Sequence, residues 1–324
     1  MSEFHIQVVE IGPLEKHENA DALSITRVHG GYPCIVRTGE VVEGQRAVYV
    51  PVDALVPVSD PRFAFLAPKA KDGWFRVRAL RLRGIFSMGL LIPADPGWEV
   101  GQDVRALLGI EKWEPPEPAA EDDDDTDPGI LPAYDLEGLR RWPGILQEGE
   151  EVVLTEKIHG ANGRAVWHEG RLHVGSRTRF KKPEGSTTWA IVARQYDLAD
   201  RLKDQPWALY YEVYGAVQDL RYGLGNGMAR MAVFDVLDWR ARRWLDADEA
   251  AAVVQGLGLP AVPPLDRGPW SEALCALAEG QTGLGGGHVR EGFVVRPVRE
   301  RFDDRIGRVI LKLHGEGYLT RKGG

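Results

Sequence analysis

The chain is poor in cysteine, in long apolar runs and in positive charge. Only two of its 324 residues are cysteine, Cys34 and Cys275. They lie far apart among apolar neighbours, and no Cys/His group has zinc-ligand spacing. This argues against a disulfide-stapled scaffold or a zinc ribbon and predicts two buried thiols in a reducing, cytoplasmic setting. No apolar stretch reaches the roughly 20 residues that cross a bilayer. The opening Met1-Ser2-Glu3-Phe4-His5 lacks the basic-then-apolar order of a secretory leader. No membrane partner is expected, and nothing points to an obligate protein partner. Lys and Arg number 40 against 48 Asp and Glu, a net charge of −8. That does not exclude nucleic acid. Much of the excess is local, in Glu121, Asp122, Asp123, Asp124, Asp125 and Asp127. The remainder is close to neutral and can carry a basic groove.

What is present divides near that acidic run. Pro115, Pro116 and Pro118 precede it, and prolines with like charges suit an extended, solvated linker. The expected organisation is residues 1–112, a linker over 113–129, and residues 130–324. The first part reads as short strands at 6–11, 24–28, 33–36, 46–50, 75–82 and 88–92, broken by Gly, Asn, Asp and Pro. That pattern predicts a small barrel or sandwich. The second part mixes strands at 151–155, 163–167, 208–213, 231–237, 292–296 and 309–313 with helices. Asp135 is a candidate N-cap for a helix ending at Pro143. Ser186 or Thr187 can start one running to about Lys203. Asp246 and Glu249 have capping-box spacing before Ala250–Gln255, and a short helix is expected between Ser271 and Gly280. Gly283–Gly287 is not followed by Lys-Ser/Thr, so it reads as a flexible turn rather than a phosphate-binding loop. The class is α+β.

The chemistry concentrates in Thr155-Glu156-Lys157-Ile158-His159-Gly160-Ala161-Asn162-Gly163. A lysine leaves a strand and meets a glycine three residues later, which puts its amine at a tight turn open to a ligand. Such a lysine becomes a nucleophile when desolvation or cationic neighbours lower its pKa. A surface Lys-x-x-Gly turn is common, so this segment alone decides nothing. Further segments follow in order: Ser176-Arg177, Tyr211-Glu212-Val213-Tyr214-Gly215, Val233-Phe234-Asp235-Val236, Glu291-Gly292-Phe293-Val294-Val295-Arg296 and Leu311-Lys312-Leu313-His314.

Together these resemble, in sequence order, the motifs of covalent nucleotidyltransferases of the RNA ligase type. The segment Ile11–Leu23 resembles the opening of OB-fold modules. An OB-type barrel ahead of an adenylyltransferase domain of antiparallel sheets and flanking helices is the arrangement of Deinococcus-type RNA ligases. The resemblance implies an ATP-dependent RNA ligase that joins a 3′-OH to a 5′-phosphate, with AMP held covalently on Lys157 and Mg2+ or Mn2+ required. It implies nucleotide contacts from Glu156, Ile158, Gly160, Asn162, Arg177, Glu212, Phe234 and Lys312, with Glu212 on the ribose and Phe234 against adenine. Phe234 in an apolar strand is equally suited to core packing. Lys312 would neutralise the α-phosphate and help depress the pKa of Lys157. Glu291 would hold the metal, and His159 would be structural or face substrate. His314 departs from the lysine that many relatives carry there.

Two basic segments are candidates for nucleic acid. Arg76, Arg78, Arg81 and Arg83 lie near Trp74, Phe75 and Phe86, which suits an OB binding face. Their parity changes between Arg78 and Arg81, so one flat face cannot present all four. Arg179, Lys181 and Lys182, with Arg177, would line the approach of the 5′-phosphate. The expected partner is RNA, as a nicked RNA or RNA/DNA duplex. The alternatives are a DNA or broad polynucleotide ligase, and a non-catalytic RNA-binding OB protein with a decayed ligase domain.

Overall fold

Residues 4–114, 123–124 and 126–321 are described by the structure, a computed structural model. The chain forms two compact units. One holds the described residues up to 114 together with Arg140–Pro143; the other holds the remainder.

The first unit is an OB-type barrel of short strands. Arg46–Val50 is its centre, antiparallel to Gln7–Glu10 on one side and Leu90–Pro93 on the other. Leu23–Val28 and Tyr32–Arg37 form a hairpin. Alternate residues turn inward, and Ile6, Val8, Val48, Val50, Phe63 and Val104 close one core. The expected strand 75–82 is two strands. Trp74–Arg76 pairs with Ala54–Pro57, whereas Leu80–Leu82 turns to pair with Ile85–Ser87. The break falls over residues 77–79, between the two pairings, and the second strand then reverses at the Arg83-Gly84 turn, where both residues have positive φ, 47° and 89°. A two-residue hairpin turn of that hand is ordinarily announced by Asn-Gly, and here Arg-Gly stands in its place. A 3-10 helix over Pro61–Lys69, capped by Asp60, was not foreseen.

Two sheets, antiparallel but for one short edge strand, build the second unit. Seven strands run in the order Asp123–Asp124, Phe180–Lys181, Arg171–Ser176, Ala161–His168, Trp207–Gly215, Ala229–Asp238, Arg243–Trp244. Five run in the order Glu137–Gly138, Leu311–His314, Gly292–Pro297, Glu151–Lys157, Pro264–Pro269. Helices Thr188–Gln195, Leu198–Leu202 and Ala247–Gly256 flank the larger sheet, whose core includes Leu209, Tyr211, Met231, Val233 and Val254.

Several expectations change here. Asp123–Asp124 is an edge strand, not a solvated linker, because its carboxylates meet Arg171, Arg179 and Lys181. Residues 115–122 and 125 lie outside the described residues. The helix expected from Asp135 is replaced by Glu137–Gly138, parallel to Leu311–Lys312, and a 3-10 turn at Leu139–Arg141. A segment that short does not hold a helix by itself, and the open sheet edge takes its backbone hydrogen bonds. The helix expected to reach Lys203 is two helices, interrupted where Asp197 adopts φ 50°. Glu249 does accept the Asp246 amide, at 3.0 Å. Cys34 is buried, but Cys275 is only partly so. The glycine-rich loop is tied down, with the Gly283 amide donating to Glu156 at 2.8 Å and Gly286 packed on Gly223.

Candidate active site

Lys157 ends the strand Glu151–Lys157. Its register is Lys157 opposite Gly292, and Gly292 opposite His314. Two residues back, Thr155, Val294 and Lys312 form the next row. Paired residues share a face and the period is two, so Lys157, Lys312 and His314 look to one side of the sheet. Lys157, Lys312, Asn162, Glu212 and Phe234 line a cavity of about 730 Å³. Two glycines make the approach possible. A Cβ on Gly160 would stand 2.2 Å from the Val213 carbonyl oxygen. Gly292, at φ 153°, would put one 1.9 Å from the Leu313 carbonyl oxygen.

The charges around the amine are unequal. Lys157 Nζ donates to Glu291 Oε1 at 2.8 Å. Burial works to deprotonate Lys157, but the charges of Glu291 and Glu212 outweigh it and hold its pKa above the ordinary lysine value. The expected depression by Lys312 is therefore not found. Glu212 is pushed up to about 8, first by burial and then by the like charge of Glu291, against the pull of Lys157 and the Gly160 amide. Glu291 resists its own burial, because Lys157 and His314 hold it down at about 2. His314 Nε2 lies 3.4 Å from Glu291 Oε1. Burial lowers the pKa of His314, so it is not a standing replacement for a second lysine. Two buried oxygens in this group, Glu291 Oε2 and Asn162 Oδ1, have no hydrogen-bond partner.

Glu156 faces the other way, as alternation requires. Its carboxylate accepts from the Thr282 hydroxyl and the Gly283 amide, leaving its backbone as its route to a nucleotide. Ile158 packs with Tyr214, Tyr222 and Val262 and borders the cavity. His159 is held by partners other than Lys157. Its Nε2 is 2.6 Å from Asp219 Oδ1 and its Nδ1 2.8 Å from the Tyr318 hydroxyl, while its amide donates to Tyr222 at 2.7 Å.

The RNA ligase family model matches residues 150–314, half of the chain and the whole motif set from Thr155 to His314. This chain belongs to the RNA ligase family. An OB-fold domain model matches residues 6–94 of the ligase. Solved structures of Naegleria gruberi RNA ligase share the fold from end to end. One, a mutant with AMP and Mn, gives a TM-score of 0.85 at 24% identity, covering 98% of each chain. Another, with PPi, gives 0.83 at 24% identity and the same coverage. No curated protein matches the ligase significantly.

The other sequence candidates spread over the ligase. Phe234 lies at a register shift in the strand pair Trp207–Gly215 and Ala229–Asp238, where Tyr211 pairs with Val233 but Tyr210 with Asp235. It is the extra residue of a bulge, which turns it toward the cavity while it packs on Tyr134 at 4.9 Å. Arg177 leans toward Asp135, a cavity residue, at 3.8 Å. Arg179 and Lys181 are engaged by Asp123, and Lys181 is only 2% exposed. Lys182 is exposed. In the OB unit Arg76 pairs with Asp53 at 2.7 Å and stacks on Trp113 at 3.3 Å, so it serves the barrel itself. Arg78, Arg81 and Arg83 are exposed, but only the last two share the Leu80–Ser87 hairpin. Sequence reasoning did not single out Asp219, Tyr222, Thr282 or Tyr318. None sits in a spacing that carries chemistry by itself; each is brought to the lysine turn by the fold.

Proposed function

We propose that this ligase is ATP-dependent and joins a 3′-OH to a 5′-phosphate, at nicks in RNA-containing duplexes, through AMP bound to Lys157. The observation that carries the reading is Lys157 at the wall of a large cavity, paired at 2.8 Å with a buried carboxylate. An amine kept for packing would not be given two neighbouring acids and an adjoining void.

The steps follow from the groups present. Lys157 gives up a proton and its Nζ attacks the α-phosphorus of ATP. An N–P bond forms, the bond to pyrophosphate breaks, and AMP remains on the lysine. Lys312, on the same face, meets the charge that develops on the α-phosphate. A 5′-phosphate then displaces Lys157, and a 3′-OH displaces AMP to form the phosphodiester. Glu212 is suited to the ribose hydroxyls, because a carboxyl group that keeps its proton at neutral pH both donates and accepts.

A divalent cation fits the unpartnered oxygens, Glu291 Oε2 and Asn162 Oδ1, which are hard donors of the kind Mg2+ and Mn2+ take. Among the described residues no cluster of three or more His, Cys, Asp and Glu side chains could hold a metal, so most of its remaining ligands would be phosphate and water. Bound there, it would offset the carboxylate charge that keeps Lys157 protonated. The Naegleria gruberi ligase structures with ATP and Mn and with AMP and Mn support this choice of substrate and ion.

The test is labelling with α-labelled ATP and a divalent metal, followed by peptide mapping. One acid-labile AMP is expected on the peptide containing Lys157 and none on Lys157→Ala; full labelling of that variant rejects the site. Strand preference is read from nicked duplexes differing only in the sugars at the 3′-OH end. A ribose there should be favoured, because a site built for a 2′-OH loses hydrogen bonds without it. Equal rates with deoxyribose would favour a general polynucleotide ligase.

A further inference from the structure

The acidic run is the sequence feature that the joining reaction leaves unused, and Asp123 and Asp124 within it are half-buried rather than free in solvent. Asp123–Asp124 pairs antiparallel with Phe180–Lys181 at the edge of the seven-stranded sheet. Asp123 accepts from Lys181 Nζ at 2.6 Å with one oxygen and from Arg179 Nη1 at 3.0 Å with the other. Asp124 accepts from Arg171 Nη1 at 3.3 Å. A carboxylate between two cations is what a phosphodiester presents to such a strip. The strip also leads to the cavity. The chain from Arg179 back to Ser176 is a tight turn, with the Arg179 amide on Ser176 Oγ at 3.2 Å, and Arg177 within it leans on Asp135 in the cavity wall.

The occupant is weakly held by design of its charges. Asp123 and Asp124 sit in a run whose neighbours in sequence, Glu121, Asp122, Asp125 and Asp127, are also acidic. Mutual repulsion opposes keeping them together on one edge. The strand is two residues long, and Arg171 and Arg179 remain nearly half exposed, so their ion pairs are worth little in water.

We infer that Arg171, Arg179 and Lys181 form a binding surface for the phosphodiester backbone of the RNA strand entering the cavity, and that Asp123 and Asp124 are its built-in competitor. This rests on the ligase reading above and adds to it a surface and its resting occupant. RNA must displace the acidic strand to engage, so the apparent affinity is reduced by the fraction of chains in which the strip is open. The device favours long or multiply charged strands, which can offer several phosphates at once, over mononucleotides.

The experiment uses the full chain and a fluorescent 5′-phosphorylated RNA, read by anisotropy over a salt series. Asp123→Asn with Asp124→Asn keeps hydrogen-bond acceptors but removes the charge. It should bind RNA about threefold to tenfold more tightly at low salt. Arg171→Ala with Arg179→Ala should bind more weakly, and in the four-fold variant the gain should vanish. Unchanged or weaker binding by the Asn pair overturns the inference. So does a gain that persists without the two arginines, since that is a general charge effect. If the Asn pair melts early, Asp124→Asn with Arg171→Ala, on the exposed part of the contact, gives the same comparison. Lysyl-AMP formation by the unaltered chain with ATP and no RNA reads the ligase assignment separately.

Discussion

Glu212, half-buried, and Glu291, buried, are two carboxylates beside one lysine, and their affinities for protons are driven in opposite directions. Glu291, 2.8 Å from Lys157 Nζ, is held at about 2, whereas Glu212 is pushed up to about 8. Environments that separate like groups assign them different work. Glu291 is anionic throughout the neutral range, fit for a cation, and Glu212 can hold a proton. Glu291→Gln should lower AMP labelling of Lys157 by about a hundredfold at saturating ATP and blunt its response to metal. Labelling within twofold of the unaltered chain would remove Glu291 from the reaction.

The raised Glu212 also fixes a sign for stability. Between pH 4.5 and about 8 the folded chain holds a proton on Glu212 that the unfolded chain has lost. Stability contributed by the neutral carboxyl therefore falls as pH rises through this window. Glu291, depressed to about 2, is ionised in both states above its unfolded value and adds no slope there. Glu212→Gln should flatten the loss of melting temperature between pH 5.5 and 8. An unaltered slope in that variant would mean that Glu212 is ionised in the folded chain at neutral pH.

Gly160 tests the steric side. With the Val213 carbonyl 2.2 Å from where a Cβ would lie, Gly160→Ala must move the strand end that carries Glu212. A cost of about 1–3 kcal/mol in stability is expected, with AMP labelling lost more severely than stability. Denaturant melts together with labelling decide it; a fully active, equally stable variant would show that the turn has room.

These cases also show how far the sequence reaches. Lys157, Glu212 and Lys312 are legible because each sits at a fixed place in a strand whose alternation sends it to one face, Glu291 because it directly precedes the strand Gly292–Pro297, and all four because the segments fall in order. The bulge that turns Phe234 to the cavity is not legible, since a register shift depends on the partner strand. Nor is the reversal at Arg83-Gly84, whose left-handed turn lacks its usual residues. Asp123 and Asp124 read as solvated because their partners Arg171, Arg179 and Lys181 lie about 50 positions away. Glu156 is the converse case. Its place beside the nucleophile suggests a nucleotide contact, but the pleat turns its carboxylate to Thr282 and Gly283.

His159 offers a test of coupling across the fold. Asp219 is held below the usual carboxylate range by His159 and Arg321, which outweigh its slight desolvation, so its carboxylate accepts from Nε2–H. Neutral imidazole then accepts at Nδ1 from the Tyr318 hydroxyl, which fixes the tautomer. Tyr318→Phe keeps the ring beside His314 and removes only that hydroxyl. Transfer of AMP to a 5′-phosphate should slow by about threefold to tenfold, as for one hydrogen bond. In a cycle with His159→Ala the two effects should be far from additive. Additive losses would show that Tyr318 acts by another route.

The last test separates the two units and uses the edge strand as a ruler. A chain of residues 118–324 and one of residues 130–324 both contain the whole matched segment, 150–314. Only the longer retains Asp123, whose carboxylate lies 2.6 Å from the ammonium of Lys181, a side chain 2% exposed. Deleting the edge strand removes its ion pairs but also opens Lys181 to water, so the cost is that of partly exposed pairs, about 1 kcal/mol. For a piece of this size that corresponds to roughly 2–4 °C in melting temperature. The shorter chain should therefore melt slightly below the longer one, while both form lysyl-AMP at a temperature where both are folded. Both should seal nicked duplexes more slowly than the full chain, since they lack the OB unit with its exposed Arg78, Arg81 and Arg83. Equal melting of the two pieces would mean that Asp123 is dispensable to the sheet edge. Sealing as fast as the full chain would mean that the OB unit does not hold the strands, and that the grip on RNA lies within the nucleotidyltransferase unit alone.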